Sequence, residues 1–181
     1  MRGEVKPKIE IRKCRKGDLK QVLQIEKKNF PTSWPMSSFK RLLSQDNGIF
    51  FVASKNAGIM GYAIADIERK FSFKNFPLKR EGHLLKIAVR EKKRRQGIGS
   101  SLMNFVEKKL KEKGISSLKL EVRDENKEAR KFYEERGFVK EELIKDYYPG
   151  SSDAVLMRKK LTYCFSELIP RLAVLLQLEF I

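Results

Sequence analysis

The densest chemical signal in this 181-residue chain is the run Arg94-Arg95-Gln96-Gly97-Ile98-Gly99-Ser100. Glycines at two of these positions let the backbone approach a ligand closely, and the N–H groups at a helix start favour an anion such as a pyrophosphate. Arg94 and Arg95 add positive charge at the same place. Two other phosphate loops fail on required residues. A P-loop needs Gly-Lys and then Ser or Thr, whereas Gly99 is followed by Ser100-Ser101, and a dinucleotide fingerprint needs glycine where Leu102 stands. Taken alone, the run also reads as an ordinary basic turn ahead of a helix. Cys14 and Cys164 lie far apart in no metal-ligand or disulfide pattern, so no metal and a reducing, cytoplasmic setting are expected.

Such a turn needs a strand in front of it and a helix behind, and the hydrophobic pattern supplies both. His83 to Val89 reads as a strand. Ser100 to about Lys113 reads as a helix with an apolar stripe at Leu102, Phe105, Val106 and Leu110, stopped by Gly114. Upstream, residues 8–13 alternate as a half-buried strand, and Asp18 can cap a helix running to about Asn29. A second helix spans Ser37 to Leu43, and Ile49–Lys55 and Ile59–Ile67 form a hairpin about Asn56-Ala57-Gly58. Residues 68–82, with mixed Lys, Arg and Phe around Pro77, suggest a long loop. Downstream come a strand at Leu118–Val122, a helix at Asn126–Arg136 ended by Gly137, and strands at Phe138–Ile144 and Ala154–Arg158. This order predicts a single mixed α/β sheet flanked by helices, occupying residues 1–160.

Residues 161–181 differ in composition. Leu161, Cys164, Phe165, Leu168, Leu172, Leu175 and Leu176 fall at helical spacing, while Glu167, Arg171, Glu179 and Pro170 argue against a membrane span. A helical extension that docks on the domain, or joins a second copy of the chain, is expected. Forty Lys and Arg against 23 Asp and Glu give a net charge of +17, enough to attract a phosphorylated cofactor, a nucleic acid or an acidic peptide without choosing among them. Lys108, Lys109, Lys111 and Lys113 read as a solvated helix face.

The Arg-x-x-Gly-x-Gly run, the strand Leu85-Lys86-Ile87-Ala88-Val89 before it, and the segments Leu120-Glu121-Val122-Arg123-x-x-Asn126 and Phe132-Tyr133-x-x-x-Gly137-Phe138 after it resemble the GNAT acetyltransferase superfamily in order and spacing. With Asn29-Phe30-Pro31-Thr32-Ser33-Trp34, and with Tyr147-Tyr148 ahead of Asp153-Ala154 and Met157, the likeness is to the RimI-like ribosomal-protein-alanine N-acetyltransferases and their archaeal N-terminal relatives. It covers about residues 8–160.

The resemblance implies an acetyl-CoA-dependent enzyme that acetylates the N-terminal α-amine of a protein or peptide, a ribosomal protein among the candidate acceptors. It places Glu121 as general base, Tyr133 as the acid for the departing thiolate, and His83 beside Glu121, acting through water. For the coenzyme it implies the strand residues Ile87, Ala88 and Val89, the turn Arg94, Arg95, Gln96, Gly97, Ile98, Gly99 and Ser100, and then Asn126 and Tyr133. Lys92 and Lys93 could reach a ribose phosphate or be solvated. Phe30, Trp34, Tyr147 and Tyr148 would wall the amine side. From pattern alone Tyr133 shares an apolar helix face with Ala129 and Phe132 and reads as core, Glu121 could face solvent, and Asn126 is a helix cap. Two other readings stand beside this one. One is acetylation of lysine side chains or small amines. The other is a non-catalytic basic module for RNA or the ribosome, although no RNP, KH or zinc-finger signature accompanies the charge.

Overall fold

The structure is a computed structural model that describes residues 9–45, 48–70 and 79–162. Seven strands form one sheet: β1 (Glu10–Lys13), β2 (Ile49–Lys55), β3 (Gly58–Lys70), β4 (Lys79–Val89), β5 (Ser117–Arg123), β6 (Val139–Tyr148) and β7 (Ser152–Lys160). Four helices accompany them: α1 (Leu19–Asn29), α2 (Met36–Leu43), α3 (Ile98–Glu112) and α4 (Lys127–Glu134). The spatial order is β1-β2-β3-β4-β5-β7-β6, antiparallel everywhere except between β4 and β5. A parallel pair needs a crossover, and α3 supplies it.

The strand alternation feeds two cores, one on each face. Ile49, Phe51 and Ala53 of β2 join Leu102, Val106 and Leu110 of α3 and Tyr133 of α4. Phe50 and Val52, one residue out of phase, join Val22 and Ile25 of α1 and Phe39 of α2. The β2–β3 hairpin turns on Asn56 and Ala57, both at positive φ (49° and 61°), the geometry that matches strand twist. Gly137 ends α4 at φ +82°, where a side chain would be strained, and the Phe138 N–H then returns to the Tyr133 carbonyl at 3.1 Å.

Two expectations are corrected. Asp18 does not cap α1 through its side chain: its carboxylate instead takes both guanidinium bonds of Arg12 (2.7 and 2.9 Å) and the Arg15 N–H (2.7 Å). The stronger, charge-assisted partners win. Nor is 68–82 one loop, because β3 runs to Lys70 and β4 starts at Lys79, held by pairs such as Glu68↔Glu81. Leu161 is buried, and its N–H donates to Ser116 O at 2.8 Å. The helical tail and the oligomer expected through it lie beyond Thr162, outside the described residues.

Candidate active site

β4 and β5 pair only at Gly82↔Leu118 and His83↔Lys119, although they continue to Val89 and Arg123. Past His83 the strands part. Against β3, the register of β4 skips Leu85 (Ile64↔Lys86, Ala65↔Leu84), a bulge that bends the strand just there. The resulting cleft, about 450 Å³, has Ile87, Ala88 and Val89 along one wall and Asn126, Ala129, Phe132 and Tyr133 along the other. Phe30, at the end of α1, also lines it.

The glycine turn closes one end of the cleft. Gly97, at φ +75° just before α3, takes a conformation that L side chains avoid, and a Cβ there would meet no atom within 4 Å. The first α3 bond runs from the Ser101 N–H to Gly97 O at 2.9 Å, so the N–H groups of Ile98, Gly99 and Ser100 precede the helical ladder, the kind of helix start that favours an anion. Arg94, Arg95, Gly97, Ile98, Gly99 and Ser100 all line the cleft, as does Lys93. Arg94 is aimed by Asn29, whose Oδ1 accepts from Nη2 at 2.6 Å. Gln96 and Lys92 do not line it: the Gln96 amide folds back onto Lys92 O at 3.4 Å. An elongated molecule with an apolar arm and a phosphorylated end fits these walls.

Beside the point where the strands part stand the ionisable groups. His83 Nε2 is 2.5 Å from Glu121 Oε2, and His83 Nδ1 is 2.6 Å from Glu68 Oε1. Lys119 Nζ lies 3.0 Å from Glu68 Oε2 and 3.7 Å from Glu121 Oε1. Burial works against the Glu121 charge, but the His83 bond and the Lys119 charge outweigh it and hold its carboxyl below the ordinary range. Tyr133, buried in the far wall, has its phenol pushed up by burial and by neighbouring Tyr148. It stays protonated, as a proton donor must.

Residues 19–138 match the acetyltransferase (GNAT) family. The chain belongs to the GNAT acetyltransferase family. It is therefore an acetyl-CoA-dependent acetyltransferase. An N-alpha-acetyltransferase of Saccharolobus solfataricus is 35% identical over 154 residues, spanning 83% of this chain and 92% of that protein. The [Ribosomal protein bS18]-alanine N-acetyltransferase of Escherichia coli is 28% identical over 77% of this chain and 89% of its own. Among solved structures, Ard1 from Thermoplasma volcanium superposes with a TM-score of 0.76 at 28% identity, covering 86% of this chain and 99% of that one.

Within the GNAT domain the amine-side aromatics divide. Phe30 reaches the cleft, whereas Trp34 packs on Phe39 (centroids 6.0 Å) and lies outside the lining. Tyr147 and Tyr148 lie edge to face in β6 at 4.9 Å, and the Tyr148 hydroxyl donates to Glu121 O at 3.1 Å. Burial, with Tyr147 and Glu121 nearby, pushes the Tyr148 phenol up to about 12. Asn126 caps α4, its Oδ1 accepting from the Ala129 N–H at 3.1 Å, and it also borders the cleft. Sequence reasoning missed Asn29, Glu68 and Lys119. The continued alternation Ala65, Asp66, Ile67, Glu68 was the available signal for Glu68. Among the described residues no group of three His, Cys, Asp or Glu is arranged to hold a metal, and no helix is long and apolar enough to cross a membrane.

Proposed function

We propose that this GNAT enzyme acetylates the α-amine at a protein's N-terminus, with Glu121 as the base and Tyr133 as the acid. The observation that carries the proposal is the Glu121 carboxylate, largely withdrawn from solvent and bonded to His83 at 2.5 Å where β4 and β5 part. Acetyl-CoA supplies the thioester, whose C–S bond breaks as the amine's C–N bond forms. The turn from Arg94 to Ser100 holds the coenzyme's phosphates, and Ile87 and Val89 offer backbone groups to its arm. Glu121 takes one amine proton, directly or through a water. Tyr133 gives its proton to the departing thiolate and recovers one from solvent.

Acceptor chemistry favours the α-amine. Its unperturbed pKa is near ~8, so an appreciable fraction is neutral at physiological pH, whereas lysine near ~10.4 is almost wholly charged. A carboxylate kept below its ordinary range is a modest base, suited to an amine that is already partly neutral. The names of the archaeal and bacterial relatives support the same acceptor, a ribosomal protein N-terminus among them. We assign Phe30, Trp34, Tyr147 and Tyr148 to the walls of the acceptor groove and place the reaction in the cytoplasm, in keeping with the free, buried Cys14 thiol. The segment 161–181 is proposed as an extension, anchored on the domain by Leu161, through which copies associate, and light scattering of the full chain against residues 1–162 tests this.

The deciding experiment uses two peptides of otherwise equal sequence, one with a free N-terminus and no lysine, the other N-terminally blocked with one internal lysine. Faster acetylation of the free N-terminus is expected. Faster acetylation of the blocked peptide overturns the acceptor assignment and favours the lysine reading.

A further inference from the structure

We infer that Glu68 is a positioning residue of this acid–base site: its carboxylate fixes the ring orientation of His83, and through it the way His83 presents Glu121. The inference rests on the reading of Glu121 as the base.

Three strands converge to make the arrangement. In register, His83 of β4 faces Asp66 of β3 on one side and Lys119 of β5 on the other. Asp66 is taken up locally, its Oδ1 accepting from the Ile67 N–H at 2.7 Å. Glu68, two residues along β3, reaches diagonally instead and spans the sheet, with Oε1 2.6 Å from His83 Nδ1 and Oε2 3.0 Å from Lys119 Nζ. His83 therefore has a carboxylate at each ring nitrogen. An ionised carboxylate only accepts, so the ring is held in plane from both sides by groups that draw its N–H toward them.

Glu68 and Glu121 contribute two negative charges, and the Lys119 ammonium lies against both, 3.0 Å from Glu68 Oε2 and 3.7 Å from Glu121 Oε1. Glu121, His83 and Lys119 are largely withdrawn from solvent, at 11%, 13% and 14% side-chain exposure, where an unbalanced charge is costly. Without the Glu68 carboxylate the ring loses the Nδ1 bond that fixes its tilt. With Glu68 present, His83 occupies Glu121 Oε2, and Oε1, 3.7 Å from Lys119 Nζ, is the oxygen that accepts the amine proton. The other ionisable groups near Glu121 are Tyr147 and Tyr148 of β6.

His83 is the only histidine in the chain, so nitrogen NMR of the full-length protein with isotope-labelled histidine reads this one ring. In Glu68→Gln the Nδ1 resonance should move away from its wild-type position, because the bond to the carboxylate is gone. In the same variant kcat should fall at least about tenfold, short of the ~10²–10⁴-fold attached to groups that exchange the proton themselves, with KM for acetyl-CoA unchanged. Lys119→Met leaves the Glu68 carboxylate facing the ring and should leave the Nδ1 resonance near its wild-type position. An unchanged ring spectrum in Glu68→Gln, an unchanged kcat, or a Lys119→Met protein with the same displaced Nδ1 resonance overturns the inference. Glu121→Gln separates the two claims: if it is slow while Glu68→Gln is not, the role of Glu68 falls alone. If Glu121→Gln turns over normally, the base assignment falls and takes the role of Glu68 with it.

Discussion

Lys86 Nζ lies 2.6 Å from Oε1 of Glu26, whose side chain is 0% exposed. The same carboxylate accepts the Trp34 N–H at 2.8 Å and the Tyr62 hydroxyl, and the Lys86 ammonium lies 3.9 Å from the Phe30 ring centroid and 4.8 Å from that of Trp34. The α1–α2 segment is thus fastened to β4 by a buried ion pair roofed with aromatic rings.

Lys86→Met should strand the Glu26 charge and destabilise the fold by about 3–5 kcal/mol, the penalty for removing one partner of a buried pair. Adding Glu26→Gln to that variant should recover part of the loss. Urea unfolding of the wild type, the single and the double variant checks this, and a double variant less stable than the single would contradict it.

Gly97→Val should abolish or greatly weaken acetyl-CoA binding without unfolding the protein. The residue has φ +75°, which valine resists, so the substitution forces the backbone of the turn that is proposed to hold the phosphates out of its geometry. Calorimetric titration with acetyl-CoA measures it. Unchanged affinity in a folded variant would remove the turn from the coenzyme site.

Glu121→Gln and Tyr133→Phe should each lower kcat by ~10²–10⁴-fold while leaving the affinity for acetyl-CoA nearly intact, as expected for groups that move a proton in the transition state. A loss of less than about threefold in steady-state turnover would return either residue to a packing role.

Asp18 should contribute an acid limb to stability. The Arg12 bond holds its carboxyl below the ordinary value, so the folded state favours the ionised form. Its contribution is complete above the unfolded value of about 3.9 and is lost as pH falls through the lower folded value. Thermal melting between neutral and strongly acidic pH should show Asp18→Asn losing less stability across that window than the wild type does. Parallel curves would show that the Arg12–Asp18 pair has no such effect.

Where burial writes the pattern, the sequence was legible. The stripe Leu102, Val106, Leu110 and the run Ile49 to Ala53 are apolar because they fill the two cores, and the glycine turn is visible because glycine takes the left-handed geometry at position 97 without strain. Glu68 was hidden for the opposite reason: Glu68-Arg69 is strand by pairing to β4 and not by burial, so its composition resembles a loop. Glu26 follows Val22 and Ile25 on the buried face of α1, and a carboxylate in an apolar stripe was the overlooked sign of an ion pair. Nothing in the order of residues announces that β4 and β5 stop pairing after His83, because register is a property of two distant segments together.

That early parting makes the enzyme a sheet with a missing rib. From Leu84 onward the β5-facing edge of β4 has no strand beside it, so a bound pantetheine chain would run alongside Ile87 and Val89 as a neighbouring strand does. The coenzyme is then architecture as well as reagent. Amides along that edge should exchange with deuterium far more slowly in its presence, and saturating it about a hundredfold over its dissociation constant should add ~2.7 kcal/mol to the fold by mass action. A cell's supply of acetyl-CoA would thereby set how long each molecule survives as well as how fast it works.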